Sequence, residues 1–271
     1  MKSKITSGAT EELFTTKVLN KYDVKYYRCL DTGFIQTEDP YWLSEAYSSA
    51  ITKLDIGLVS RNEGLRTTTI PLINNFFNVD GKFLDYAGGY GLFTRQMRDC
   101  GYDFYHSDIY CQNIFAEDFD LKDLPENTKF ELVTAFEVFE HMSNPIEEIE
   151  AISKYADNIL FSTVLQPKEK LTSVNDWWYF IPETGQHLAL YTEKSLSTLG
   201  KKFGYQFYSN GISTHLFTRK TLSKNPFEKT EEPWLIRKMR KKVKRYEDKQ
   251  NPVKESLLPT DWAQIKGKLN Q

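Results

Sequence analysis

The segment Phe83–Gly91, FLDYAGGYG, restricts the fold of this chain more than any other stretch. A short apolar run ends in an acid, Asp85, then turns through Gly88, Gly89 and Gly91 into the helical pattern GLFTRQMRDCG. Glycines let the backbone approach a ligand, and the following helix offers unpaired N–H groups. A strand, a ligand-binding loop and a helix ended by Gly101 are therefore predicted in that order. The rhythm then repeats: YDFYHSD, FELVTAF and NILFST read as further strands. One helix is predicted from Asn144 as cap with Pro145 in first position, and another, TEKSLSTLGKKFG, from Thr192 to Gly204. YQFYS and THLFTRK close the segment as two strands able to pair antiparallel. Strands alternating with helices over about 140 residues call for an α/β fold with a doubly wound, mostly parallel sheet.

Upstream, residues 1–21 are polar and without period, and read as a mobile arm. Tyr26–Pro40 reads as a short hairpin turning near Asp31 and Gly33. Beyond Pro40 an amphipathic helix is predicted, with Leu43, Ala46, Tyr47, Ala50, Ile51 and Leu54 on one stripe, and a second helix from Leu65 to Phe77. The organisation predicted is an N-terminal arm, hairpin and helical cap over 1–78, a ligand-binding domain over 79–220, and a basic helical extension over 221–271. From Thr221 onward there are 13 Lys/Arg and 7 Asp/Glu, and seven of the ten residues Ile236–Arg245 are basic. Trp234, Leu235, Ile236, Met239 and Val243 recur there at helical spacing. Such a segment suits a solvated helix, a peripheral contact with an anionic membrane, or a dock for an acidic partner.

Composition excludes several classes. A net charge of −2 disfavours a general nucleic-acid binder, and no run approaches the ~20 apolar residues of a membrane span. The N-terminus has charges without an apolar run behind them, so a cytoplasmic location is expected. Cys29, Cys100 and Cys111 make neither a disulfide framework nor a four-ligand zinc site, and no metal is expected.

The ligand can be narrowed from charge. GYGLFT fills the places of G-x-G-x-x-G but ends in Thr94, and Asp85 stands just before the loop. In a dinucleotide enzyme a pyrophosphate would lie here, and a carboxylate aimed at it would be repelled. A carboxylate suits a ligand that is cationic at this point, as S-adenosylmethionine is through its sulfonium and ammonium groups. Asp108 ends the next strand, 17 residues past Gly91, about where nucleoside-binding sheets place an acid on the ribose. Its alternative role is a turn cap in SDIY.

With LDYAGGYG, Asp108 and LVTAFEVFEHM together, the chain resembles the class I S-adenosylmethionine-dependent methyltransferases, in the small-molecule branch with the EVFEH signature. In the family pattern acid-x-Gly-x-Gly-x-Gly, Asp85, Gly89 and Gly91 match, while Ala87 stands where the first glycine is usual. Alanine suits that place unless the backbone needs positive φ there. The resemblance runs from about Asp80 to Lys220. Its WWYFIPETGQHLALYT stretch is similar to a bacterial subgroup associated with glycan and other surface-polymer biosynthesis. CLDTGFIQTEDPYWLSEAY also resembles that subgroup, whose relatives often carry C-x-x-C here; only Cys29 remains, so a zinc knuckle is rejected.

The resemblance implies roles. S-Adenosyl-L-methionine, leaving as S-adenosyl-L-homocysteine, would rest on Ala87, Gly88, Gly89 and Gly91. Asp85 would lie near its methionine end and Asp108 on the ribose. Asp118 would meet the adenine amine, and Phe119 or Phe115 the adenine ring. Phe136 and Glu137 would floor the site near the sulfonium. Among four histidines, His106 and His215 fall inside strand patterns and read as structural. His187, in the polar loop PETGQHLALYT, is the candidate base, and His141 a candidate catalytic or substrate-contacting group. Trp177, Trp178 and Tyr179 could wall a sugar face or plug the sheet edge, with Glu183 a further polar candidate. The function expected is O-methylation of a small molecule, a saccharide or nucleotide-linked precursor of a surface glycan. The alternatives are methylation of a phosphoryl or amide group on a nucleotide-linked intermediate, a nicotinamide-dependent oxidoreductase, and a non-catalytic cofactor-binding scaffold.

Overall fold

The computed structural model describes residues 1–48, 51–52 and 55–228, together with Lys238, Leu257 and Thr260. Of the predicted basic extension over 221–271, all but residues 221–228, Lys238, Leu257 and Thr260 falls outside the described residues, as do Ala50 and Leu54 of the predicted stripe.

The N-terminal part is a sheet. Strand β1 (Thr10–Val18) pairs antiparallel with β2 (Tyr22–Cys29), and β2 pairs with β3 (Ile35–Thr37). The hairpin predicted over Tyr26–Pro40 is thus present, but the mobile arm is not. Residues 10–18 form its outer strand, because Val18 and Val24 bury apolar side chains against Trp42 and Phe180 while the polar residues face outward. The amphipathic helix predicted beyond Pro40 shrinks to one turn, α1 (Leu43–Ala46), whereas α2 (Leu58–Phe76) starts seven residues before its predicted Leu65.

The central layer follows the predicted order: β4 (Lys82–Tyr86), α3 (Leu92–Asp99), β5 (Asp103–Ser107), β6 (Leu132–Phe136), α4 (Pro145–Ser153), β7 (Asn158–Ser162), α5 (Glu193–Lys202), β9 (Gln206–Ser209) and β10 (Thr214–Thr218); the short strand β8 (Ala189–Leu190), not predicted, lies between β7 and α5 in the chain and joins the N-terminal sheet. The six-stranded sheet runs β5-β4-β6-β7-β10-β9. Its neighbours are parallel from β5 to β7, and β10 is antiparallel to both β7 and β9. The result is an α/β fold with a mostly parallel central sheet, as predicted. Side chains alternate between two cores. Phe83, Leu132, Leu160 and Leu216 meet α2 and α3 on one face, and Leu84, Val133, Ile159 and Phe217 meet α4 and α5 on the other.

The chain runs from β4 outward to β5, then returns to place β6 on the other side of β4. That reversal opens a crevice at the carboxyl ends of β4 and β6, where open α/β sheets bind ligands. The N-terminal sheet is fastened over this end, because β8 pairs with β3 as its fourth strand. The cap therefore draws one strand from inside the 79–220 segment.

Asn144 stands at the N-cap of α4 but makes no side-chain capping bond. Thr192 does cap α5: its hydroxyl accepts from the Ser195 N–H at 3.0 Å and donates to the Thr32 carbonyl at 2.6 Å, tying the helix start to the N-terminal sheet. Thr192→Ala should lower stability by about 1–2 kcal/mol, read as a lower denaturant midpoint at an unchanged slope.

Candidate active site

Strand β4 delivers Asp85 to the crevice, buried with 2% of its surface exposed. Its carboxylate accepts the Thr134 hydroxyl from β6 at 2.8 Å and the Thr94 hydroxyl from α3 at 3.2 Å. Burial pushes this carboxyl up to about 6, against the pull of Thr134, His106 and Thr94. The loop above is bent by left-handed residues at Ala87 (φ 53°), Gly89 (φ 59°) and Gly91 (φ 82°). Between them, a Cβ on Gly88 would lie 2.8 Å from Asp85 Cγ and 2.9 Å from His106 Cδ2, so only glycine fits over the acid. Beneath it, His106 spans from the Gly89 carbonyl (Nε2, 2.8 Å) to Asp120 (Nδ1, 3.0 Å). The histidine read as structural braces the loop.

The Asp108 carboxylate accepts the N–H groups of Gly89 at 2.9 Å, Tyr110 at 2.7 Å and Cys111 at 2.7 Å. It holds the loop to the end of β5 and caps the turn beyond, and it also lines the crevice.

The crevice is a cavity of about 630 Å³, with Asp85–Gly89, Asp108 and Phe136–Val138 on one side and Arg61 of α2 above. Its far wall holds His141, His187, Glu140 and Tyr179. Glu137 sits at φ 54°, its Oε1 accepting the Ser162 hydroxyl at 2.6 Å and its Oε2 lying 3.9 Å from Arg61 Nε. Burial, aided by the neighbouring Glu140 charge, pushes Glu137 up to about 7. Burial likewise pushes Glu140 up to about 7. The same desolvation lowers His141 to about 4 and His187 to about 3, so both rings are neutral near pH 7. His187 Nδ1–H donates to the Tyr179 carbonyl at 2.6 Å, which leaves the Nε2 lone pair as its second function. Tyr47 of the N-terminal part meets His141 Nδ1 at 3.2 Å through its hydroxyl and stacks on Tyr110 with ring centroids 4.6 Å apart.

A model of the methyltransferase domain matches residues 62–210, more than half of the chain. The chain belongs to the methyltransferase-domain family. No curated protein matches it. Among solved structures it is similar to the 1,6-didemethyltoxoflavin-N1-methyltransferase of Burkholderia thailandensis, at 11% identity over 69% of this chain and 95% of that one, with a TM-score of 0.45. It is also similar to CalO1, a methyltransferase in calicheamicin biosynthesis, at 13% identity over 67% and 60% of the two chains (TM-score 0.40), and to OxaC, at 15% identity over 51% and 42% (TM-score 0.39). The chain thus spans 60% and 42% of the lengths of CalO1 and OxaC.

Within this methyltransferase domain, Asp85, Ala87, Gly88, Gly89, Asp108, Phe136, Glu137, His141, Trp178, Tyr179 and His187 line the one cavity. Several predicted residues lie elsewhere. Gly91 is the left-handed start of α3, held close to the Asn113 side chain. Phe119 is buried with the Arg98 guanidinium stacked 3.7 Å from its centroid, so its ring is not offered to a ligand. Phe115 is exposed and lines neither concavity, and Asp118 lines a second concavity that shares Asp108 with the main one. Trp177 packs into the core beneath the N-terminal sheet, and exposed Glu183 does not reach the cavity.

Other lining groups were not singled out in the sequence. Tyr47 was assigned only to a helix stripe, and Arg61 preceded the predicted start of α2. Glu140 stood in the EVFEH signature beside a histidine that took the attention.

Ala87 also corrects the sequence reading, since its position does require positive φ. Ala87→Gly should relieve a left-handed alanine and raise stability by about 0.5–1 kcal/mol, checked by chemical denaturation.

Proposed function

We propose that the chain is an S-adenosylmethionine-dependent methyltransferase that methylates a hydroxyl of a small molecule, a saccharide or nucleotide-linked precursor of a surface glycan. The observation that carries this reading is the buried carboxylate of Asp85 under a glycine loop at the sheet's reversal point, with Asp108 at the adjoining strand end. Such a donor set fits a ligand bearing an ammonium and a sulfonium and opposes a pyrophosphate, which disfavours the nicotinamide alternative. The Gly88 cradle fits it as well, since any side chain there would fill the approach to Asp85.

The acceptor class follows from charge. Asp55, Asp85, Asp108, Glu137, Glu140 and Glu148 line the cavity, and Arg61 is the one Lys or Arg among the described lining residues. An anionic phosphoryl group would be repelled there and a neutral hydroxyl would not, so of the two acceptors the saccharide is favoured over the nucleotide-linked precursor, whose phosphates would have to stay outside the cavity. Association with glycan synthesis rests on the WWY…GQH resemblance.

When bound, S-adenosylmethionine supplies an already activated methyl group. The residues of the chain then align the acceptor and manage one proton. His187 lines the cavity with its Nδ1–H fixed on the Tyr179 carbonyl, so Nε2 is the nitrogen that serves as proton acceptor. Its low basicity makes proton transfer follow C–O bond formation, because the hydroxyl becomes strongly acidic only as the methyl group arrives. Tyr179 and Trp178 form a wall on the same side, Tyr179 buried and Trp178 at the rim.

Calorimetry tests the reading: S-adenosylhomocysteine should bind and NADH should not, and the reverse result would overturn it. Binding should also depend on pH through Asp85. The ligand's ammonium favours the ionised carboxylate, so affinity should be level above about pH 6 and fall by up to about tenfold per unit below it. His187→Ala should lower kcat by roughly 10²–10⁴-fold while cofactor affinity stays within a few-fold, measured side by side on the same preparation.

A further inference from the structure

We propose that Glu140, His141 and His187 form a binding site for one divalent transition-metal cation at the acceptor end of the cavity. One nitrogen from each ring and one carboxylate oxygen lie within 4.8 Å of one another, and all three residues line the cavity. Metal–nitrogen bonds of about 2.0–2.1 Å place the donors of a tetrahedral ion roughly 3.4 Å apart, a spacing that lies inside this limit.

Two independent features point to a cation. First, the His187 tautomer is fixed. Nδ1–H donates to a backbone carbonyl, which is how protein structures usually hold a metal-ligating imidazole, and Nε2 is left with a free lone pair. The two rings stand nearly perpendicular with centroids 5.1 Å apart, so their nitrogens can converge without the rings stacking. Second, Glu140 is fully buried, yet only one of its oxygens is satisfied. Oε1 accepts the Tyr179 hydroxyl at 2.5 Å, whereas Oε2 makes no well-formed hydrogen bond, the Thr163 hydroxyl lying near the carboxyl and itself unpaired. A buried carboxylate oxygen without a partner is costly, and a metal ion is a group that would satisfy it. Tyr179 thus orients two of the three ligands, one through its carbonyl and one through its hydroxyl.

Two imidazoles and one carboxylate select zinc, cobalt, iron or nickel over magnesium or calcium, which favour all-oxygen sites. Three protein ligands leave at least one position for an acceptor hydroxyl. There the cation would lower the hydroxyl's pKa so that its proton leaves to solvent before the methyl group arrives, in place of direct transfer to His187. This role rests on the methyltransferase reading; the binding does not. Cysteine count predicted no metal, but a set drawn from residues 140, 141 and 187 has no spacing signature of its own.

The test uses the full chain stripped with a chelator and titrated with Co²⁺, followed by its visible d–d absorption and by calorimetry, with Zn²⁺ as competitor. One Co²⁺ per chain should bind. His187→Ala and Glu140→Gln should each weaken binding by at least about tenfold while S-adenosylhomocysteine affinity stays within a few-fold, which reports that the variants remain folded. Absence of saturable Co²⁺ or Zn²⁺ binding below about 1 mM, or unchanged binding in both variants, would overturn the site. S-Adenosylhomocysteine binding by the stripped chain separates the two proposals: its failure counts against the methyltransferase reading and leaves the metal result standing.

Discussion

The burial of Asp85 is the constraint on which the ligand-binding end depends. A carboxylate at the end of a central strand has lost most of its water, and it is tolerated because three elements supply compensation. Thr94 reaches it from α3 and Thr134 from β6, with His106 of β5 close beside it. Those contacts fix the start of α3 and the neighbouring strand ends relative to one another. They also dictate the loop: Gly88 must lack a side chain, and His106 must span to Asp120 to hold the Gly89 carbonyl.

Glu140 is the counterpart on the opposite wall. Its backbone carbonyl accepts the Leu188 N–H and its carboxylate accepts the Tyr179 hydroxyl, so the floor of the sheet and the 171–190 loop are joined through one residue. The same loop supplies β8 to the N-terminal sheet and buries Trp177, Phe180 and Leu188 beneath it. This wall of the cavity is therefore buried where it meets the core and exposed at its rim, at Trp178.

Legibility followed locality. The strands and helices from 82 to 218 were readable because each carries its own period and its own stop, as at Gly101 and Gly204, and the acid–glycine loop announced the binding end. What escaped needed distant partners. Residues 10–18 look aperiodic alone, since their burial arises only against β2, Trp42 and Phe180. Trp177 and Trp178 are adjacent, yet one is core and the other rim, a difference set by the N-terminal sheet. Phe119 lost its expected ligand because Arg98, from α3, covers its face. Ala87 is a small departure that sequence alone reads as tolerable unless positive φ is needed, and only the backbone shows that it is.

The two-residue strand β8 has a consequence for how the chain assembles. Strands β1 to β3 precede the central sheet in the chain, but their sheet lacks its last strand until about 150 residues further on. The hairpin buries its apolar side mainly against residues 171–190, so it has little core of its own during synthesis. The cap is thus completed by a non-local pairing, whose loop-closure cost must be met before the contact stabilises anything.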